Sequence, residues 1–211
     1  MTVKPVVEGH GDVAAVPALL RRLGKTLMEG RSSTEWPVVS KPIRQPRNRL
    51  VRSDGLERAV ELALRFKPDA VIVIIDSDDD CPAELGPELE QVARRAAGGV
   101  PCRVVLAHRE YEAWLLGAAE SLRGRAGIRA DAPAHPEPDA PRDAKGEIED
   151  RMPGGYSYHE TLDQVRMTSL FDMGATHRRC RSFRHLVAAF GTLLVDCGLL
   201  SDVAVPRDWA L

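Results

Sequence analysis

The sequence predicts an α/β fold, a mostly parallel sheet flanked by helices and followed by a helical C-terminal part. Three observations predict it. Apolar runs recur with little polar interruption, of which "VIVII" at Val71 to Ile75 is the clearest. Segments of helical periodicity alternate with those runs. From about Gly124 onward the helical pattern continues with no strong strand. Strands that read as continuous apolar runs are buried on both faces, and alternation with helices is the signature of parallel crossover units.

In chain order, Val3 to Val7 reads as a short buried strand, and Val13, Val16, Leu20, Leu23 and Leu27 then recur at helical spacing. Asp12 is placed to cap that helix, and Pro17 is expected to cost it a backbone hydrogen bond near the second turn. "WPVVSKPIR" is a weaker strand whose two prolines suit a sheet edge. Ser53 is expected to cap a helix with Leu56, Val60 and Leu64 on one face, and "DAVIVII" follows as a strand. "PELEQVARRAAGG" reads as a helix ending at Gly98-Gly99, "CRVVLA" as a strand and "REYEAWLLGAAESL" as a helix. "RADAPAHPEPDAPRD" is a long loop, and "AKGEIEDRM", "YHETLDQVRM" and "SFRHLVAAFGTLLVDCGLL" are helical. The organisation expected is an α/β core over residues 1–123 and a Pro-rich loop with helical extension over 124–211, packed on that core.

Composition narrows the function classes. With 29 Lys+Arg against 31 Asp+Glu, the chain has no global attraction for nucleic acid, so any such binding must come from local clusters. The start "MTVKPVVEGHGD" lacks the charged and apolar regions of a secretory signal, and no segment approaches a membrane span. Cys81, Cys102, Cys180 and Cys197 are far apart, against a zinc site or a disulfide framework. The expectation is a soluble protein of the reducing cytoplasm, without a membrane partner.

Acidic residues gather at expected strand ends. Glu8 closes the first strand in "VVEGHGD"; its G-x-G-x-x-A turn looks like a dinucleotide loop, but Glu8 and Asp12 put two carboxylates where a pyrophosphate needs positive potential. "GKT" at Gly24 to Thr26 is not a phosphate loop, because Leu19 holds the position where glycine is required. After "VIVII" come Asp76, Asp78, Asp79 and Asp80. In an extended chain Asp76 and Asp78 project to the same side and could serve a hard divalent cation; equally, the run could be a solvated turn. A phosphatase with D-x-D after a strand usually continues with threonine, where this chain has Asp79. Glu110 and Glu112 open the helix after "CRVVLA", which first-turn acids also do for the helix dipole alone.

Taken together, these residues resemble a known family. A Glu-Gly turn after the first strand, an apolar strand ending in Asp-x-Asp and a later "YEAWLL" helix start are similar to the Toprim domain. The likeness is to small stand-alone relatives of OLD-family and RloB-like nucleases, the PARIS-type antiphage subunits among them. "AK" at Lys145, "YSYHETLDQ" and "SFRHL" extend it over most of the chain. The resemblance implies a Toprim-like, Rossmann-like fold and a metal-dependent endonuclease using Mg²⁺ or Mn²⁺ on phosphodiester bonds of DNA or RNA, in antiphage defence. It implies Glu8 as general acid/base and metal ligand, Asp76, Asp78 and Glu112 as further ligands, and Lys145 as the lysine that steadies phosphate charge. OLD-type chains usually carry an ATPase; this one has no phosphate loop, so an ATPase would be a separate subunit. A homodimer is also implied.

Nucleic-acid contacts are expected from "KPIRQPRNRLVR", whose Lys41, Arg44, Arg47, Arg49 and Arg52 have no acid among them. Arg178, Arg179, Arg181 and Arg184 form a second run that helix-terminal charge explains equally well. His10, His108 and His159 carry no assignment. The alternative to a nuclease is a non-catalytic Toprim-like module that binds nucleic acid or a partner ATPase, its acids serving solvation alone.

Overall fold

Strand β4 (Ala70–Asp76) sits inside the sheet, bonded on one side to β1 (Thr2–Val7) and on the other to β5 (Cys102–Ala107). The computed structural model describes residues 1–30 and 35–210. Beyond β1 lie two short edge strands, β2 (Val38–Val39) and β3 (Ile43–Arg44), and every pairing is parallel. The expected α/β fold with its parallel sheet is therefore what the chain adopts, with the proline-flanked segment at an edge.

The apolar runs are explained by the two faces. Ile72 and Ile74 point to one side, into a cluster with Leu20, Trp114 and Phe183. Val71, Val73 and Ile75 point to the other, against Leu56, Val60 and Leu89. A strand whose alternate residues both meet helices has no solvent face on which to place polar side chains. Helices α1 (Asp12–Met28), α3 (Ser53–Leu64) and α4 (Pro82–Ala97) follow β1, β3 and β4, with the short α2 (Arg47–Leu50) between β3 and α3.

Several boundaries differ from expectation for local reasons. Helix α1 runs unbroken through Pro17; one bond is lost, while buried Val16, Leu19, Leu20, Leu23 and Leu27 hold the helix to the sheet. Gly11, not Asp12, is its N-cap, and Arg52, not Ser53, is the N-cap of α3. Helix α4 begins at Pro82, five residues before the expected Pro87, and ends on Gly98 at φ 58° as anticipated. The helix expected over 109–122 splits into α5 (Glu112–Leu116) and a 3₁₀ turn (Ala119–Leu122). Gly117 lies at the break, where a Cβ would stand 2.7 Å from Cys180 Sγ, so the chain is pressed against its neighbour there.

The C-terminal part contains α6 (Ala144–Glu149), a π-helical turn (Glu160–Gln164), α7 (Val165–Thr168), α8 (Met173–Arg179) and α9 (Arg181–Asp196). Helix α8 was not anticipated. Trp114 joins this part to the sheet: its ring meets Phe183 at 5.6 Å and its Nε1–H donates to Ser182 at 2.9 Å. Val3, Val7, Ile148, Phe171 and Leu193 belong to that same cluster. Among the described residues no helix is long and apolar enough to cross a membrane. The four cysteines are free thiols.

Because one cluster spans both parts, Phe183→Ala should cost about 3–5 kcal/mol and still unfold in one urea transition. Two transitions seen by fluorescence and circular dichroism would show that the parts fold separately.

Candidate functional site

Parallel register brings the carboxyl ends of β1, β4 and β5 to one edge, pairing Val7 with Ile74 and Asp76 with Ala107. Glu8 follows β1, Asp76 ends β4 and Glu112 opens α5 beyond β5. Ligands of open α/β sheets bind at this edge because the loops that diverge there leave a crevice.

Each carboxylate is held differently. Asp76 accepts the Tyr111 N–H at 2.9 Å. Glu112 is buried; one oxygen accepts the Tyr158 hydroxyl at 2.8 Å and the other has no partner. Glu8 likewise has one buried oxygen without a partner. Asp12, which the sequence presents only as a helix cap, joins this group. Its buried carboxylate accepts the Gly9 N–H at 2.8 Å and the Gln164 side-chain amide at 3.0 Å. The turn is glycine-rich for the same reason: a Cβ on Gly11 would lie 2.0 Å from Gln164 Oε1 and 2.7 Å from the Glu160 carbonyl. Glycine here admits the 160–164 segment, not a pyrophosphate.

Burial and mutual repulsion set the charges. Glu8 is raised to about 7, chiefly by burial and then by Asp12 and Asp78. Glu112 is raised to about 7 by burial, although Lys145 and the Tyr158 hydroxyl pull the other way. Asp76 lies well above the usual carboxylate range through burial, then through Asp12, Glu112 and Glu8. Burial also raises Asp12. Lys145, near the start of α6, loses solvation, but Glu112, Glu160, Asp76 and Glu110 outweigh that loss and hold its ammonium charged. Its Nζ is 3.9 Å from Glu160, and its backbone N–H donates to Glu110 at 3.2 Å. Glu112, not Glu110, is therefore the acid turned into the cluster.

Asp78 departs from expectation. It has a left-handed backbone, φ 48°, so the extended geometry that would aim it alongside Asp76 does not hold. Its exposed carboxylate pairs with Arg47 Nε at 3.2 Å, close enough to Glu8 to raise it. Arg47 also pairs with Asp80 and donates to the carbonyls of Asp76 and Ser77. Asp79 pairs with Arg109 at 3.3 Å and Arg142 at 3.2 Å. The acid turn is thus neutralised by arginines, whereas Lys145 faces the buried acids behind it and Arg47 reaches Glu8 as well.

The basic run spans β3 and α2; Arg44 and Arg47 reach this edge, whereas the Lys41 carbonyl accepts the Lys4 ammonium further back along β1. Lys41, Arg44, Arg49 and Arg52 are exposed, Arg44 reaching the Glu8 carbonyl at 3.3 Å and Arg52 pairing with Asp54. Arg47 is engaged by the acid turn. In the second run Arg178, Arg179 and Arg184 donate to carbonyls of Asp208, Gly117 and His177, which are structural tasks. His10 and His159 are exposed and His108 is half-buried.

Among the described residues no three His, Cys, Asp or Glu side chains stand close enough together to grip an ion unaided. Magnesium does not require such a cage. It keeps several waters and takes one or two carboxylates. The unpartnered oxygens of Glu8 and Glu112, beside Asp76, fit that donor set.

A family profile matches residues 7–190. The chain belongs to the DUF4276 family. That family is described as a domain of unknown function. The DUF4276 span runs from the last residue of β1 into α9 and contains every residue of the acidic cluster. No curated protein and no solved structure matches the chain.

Glu8 and Glu112 hold protons in the folded chain that an unfolded chain releases from 4.5 upward. Metal-free stability should therefore fall as pH rises from about 4.5 through about 7. Glu112→Gln should flatten that fall in thermal melts taken across the window. An unchanged slope would mean that Glu112 ionises normally.

Proposed function

We propose that this chain is a divalent-metal-dependent phosphodiesterase of Toprim type, a nuclease acting on DNA or RNA with Mg²⁺ or Mn²⁺. The observation that carries this reading is the gathering of Glu8, Asp76 and Glu112 from three strand ends, two of them with a buried unpartnered oxygen, next to charged Lys145. Like charges brought together in a poorly solvated place are costly unless they take up protons or a cation.

One or two of Glu8, Asp76 and Glu112 would hold the metal directly and the rest through its bound waters; the metal would supply charge neutralisation at the phosphate and a more acidic bound water. Glu8, with a proton affinity near neutrality, suits proton transfer at pH 7. The Lys145 ammonium would balance the negative charge that builds on a phosphate oxygen. Tyr158 orients Glu112, and Gln164 orients Asp12. Arg44, Arg49, Arg52 and Lys41 offer exposed cations to a phosphate backbone passing the β3 side, which positions without reading sequence. The second reading is a non-catalytic binding module. It draws on the arginine-neutralised acid turn, which needs no cation at Asp78, Asp79 or Asp80.

The test combines Mn²⁺ calorimetry with cleavage of labelled DNA and RNA. Asp76→Asn and Glu8→Gln should each abolish Mn²⁺ binding and cleavage while remaining folded. Lys145→Met should keep Mn²⁺ binding and lower kcat by about 10²–10³-fold. Cleavage that survives Asp76→Asn would overturn the assignment; metal binding without cleavage of either nucleic acid would favour the binding module.

A further inference from the structure

Strand β5 is the outer strand of the sheet on the side away from β1. Its partner bonds include Val71 N–H to the Pro101 carbonyl and Ser77 N–H to the Ala107 carbonyl. In a parallel ladder alternate residues face the neighbour, so Val104 and Leu106, both buried under flanking side chains, turn their N–H and C=O away from β4 to the outer edge. Above that edge lies a groove of about 1100 Å³ between α4 and the start of α9, with Val104, Leu106 and His108 along its floor. Pro82, Ala83, Gly86 and Pro87 supply an apolar wall.

Two features say what the groove accepts. The edge is only loosely closed: Val104 N–H meets Glu90 and its carbonyl meets His185, both at 3.4 Å, the long end of hydrogen bonding. The rim is cationic. Arg94, Arg95 and Arg181 are exposed, and no acid pairs with their side chains among the described residues. Of the two acids present, Glu90 meets Val104 and Arg103, and Asp139 accepts the Arg181 N–H with one oxygen while its other oxygen is buried without a partner among the described residues.

We propose that this groove docks an extended segment of a partner protein that adds to β5 as a further strand and carries acidic side chains alternating with apolar ones. Backbone pairing at Leu106 would give affinity. The apolar wall would take every second side chain, and the guanidinium groups would select acids over bases. This surface is made by different residues from the acidic cluster, so it stands or falls independently of the proposed hydrolysis.

The probe is a fluorescein-labelled peptide of alternating valine and glutamate, followed by anisotropy on the full chain. It should bind at least tenfold more tightly than its valine–lysine counterpart. The combined Arg94→Glu and Arg181→Glu variant should lose at least tenfold; both residues are on the surface, so a native circular dichroism spectrum is expected. The same peptide N-methylated at alternate residues should fail to bind, and the Leu106 amide should gain hydrogen-exchange protection with the unmodified peptide. Four results would overturn the proposal: no binding, equal binding of the lysine peptide, undiminished binding of the methylated peptide, or self-association of the chain through this edge. Retention by the methylated peptide with loss on charge reversal would identify a site for anions, not for a strand.

Discussion

The rest of the structure depends on the parallel pairing of β1, β4 and β5. Parallel strands end together, so whatever residue follows each one is delivered to the same place. Here those residues are acids. Hydrogen bonds and apolar packing along the strands thus supply the energy that holds like charges close. Glu8, Asp76 and Glu112 are where they are because Val73, Ile74 and Val105 have no alternative to burial. A site assembled in this way sits on rigid elements, which keeps its atoms in place without demanding much of the loops.

Compensation for that crowding is divided by depth. At the surface, arginines answer the carboxylates of Asp78, Asp79 and Asp80 directly. Deeper in, hydrogen-bond donors do so: the Tyr111 N–H, the Tyr158 hydroxyl, the Gln164 amide and the Gly9 N–H each satisfy one oxygen. What is left over in this cluster, among the described residues, is one buried oxygen each on Glu8, Glu112 and Gln164. Two left-handed residues, Asp78 and Arg109, lock the arrangement, the Asp78 N–H donating to the Arg109 carbonyl at 3.0 Å. Strained backbone of this kind persists where its surroundings hold it firmly.

The sheet was legible because its cause is local. Five branched apolar residues in a row at Val71 to Ile75 leave few choices, and helical spacing of leucines marks α1 and α3 as plainly. Glu8, Asp76 and Glu112 could be placed at one edge from strand order alone. What escaped depends on contacts between distant residues. Asp78 turns away because Arg47 stands opposite, and nothing in "DSDDD" announces that. The helix over 109–122 breaks at Gly117 because α8 presses on it, and α8 itself was not anticipated. The sequence presents Asp12 as a cap because its true partner, Gln164, lies 152 residues away. Periodicity describes what a segment presents, not what will arrive to meet it.

The close fit at Gly11 has a consequence for the order in which the molecule is made. All five strands are complete once Ala107 has been added, and a nascent chain of that length already holds Glu8 and Asp76. Asp12 still lacks Gln164, and Lys145 and Tyr158 do not yet exist. The acidic edge, already met by Arg47, must therefore wait for these deeper partners while some fifty further residues are synthesised, on the order of several seconds at ordinary translation speeds. During that interval protons or dissolved cations are what can quiet it. The last pieces to dock arrive across a very long loop, a slow kind of closure. The acidic centre is thus completed late, although Glu8 follows the first strand of the sheet.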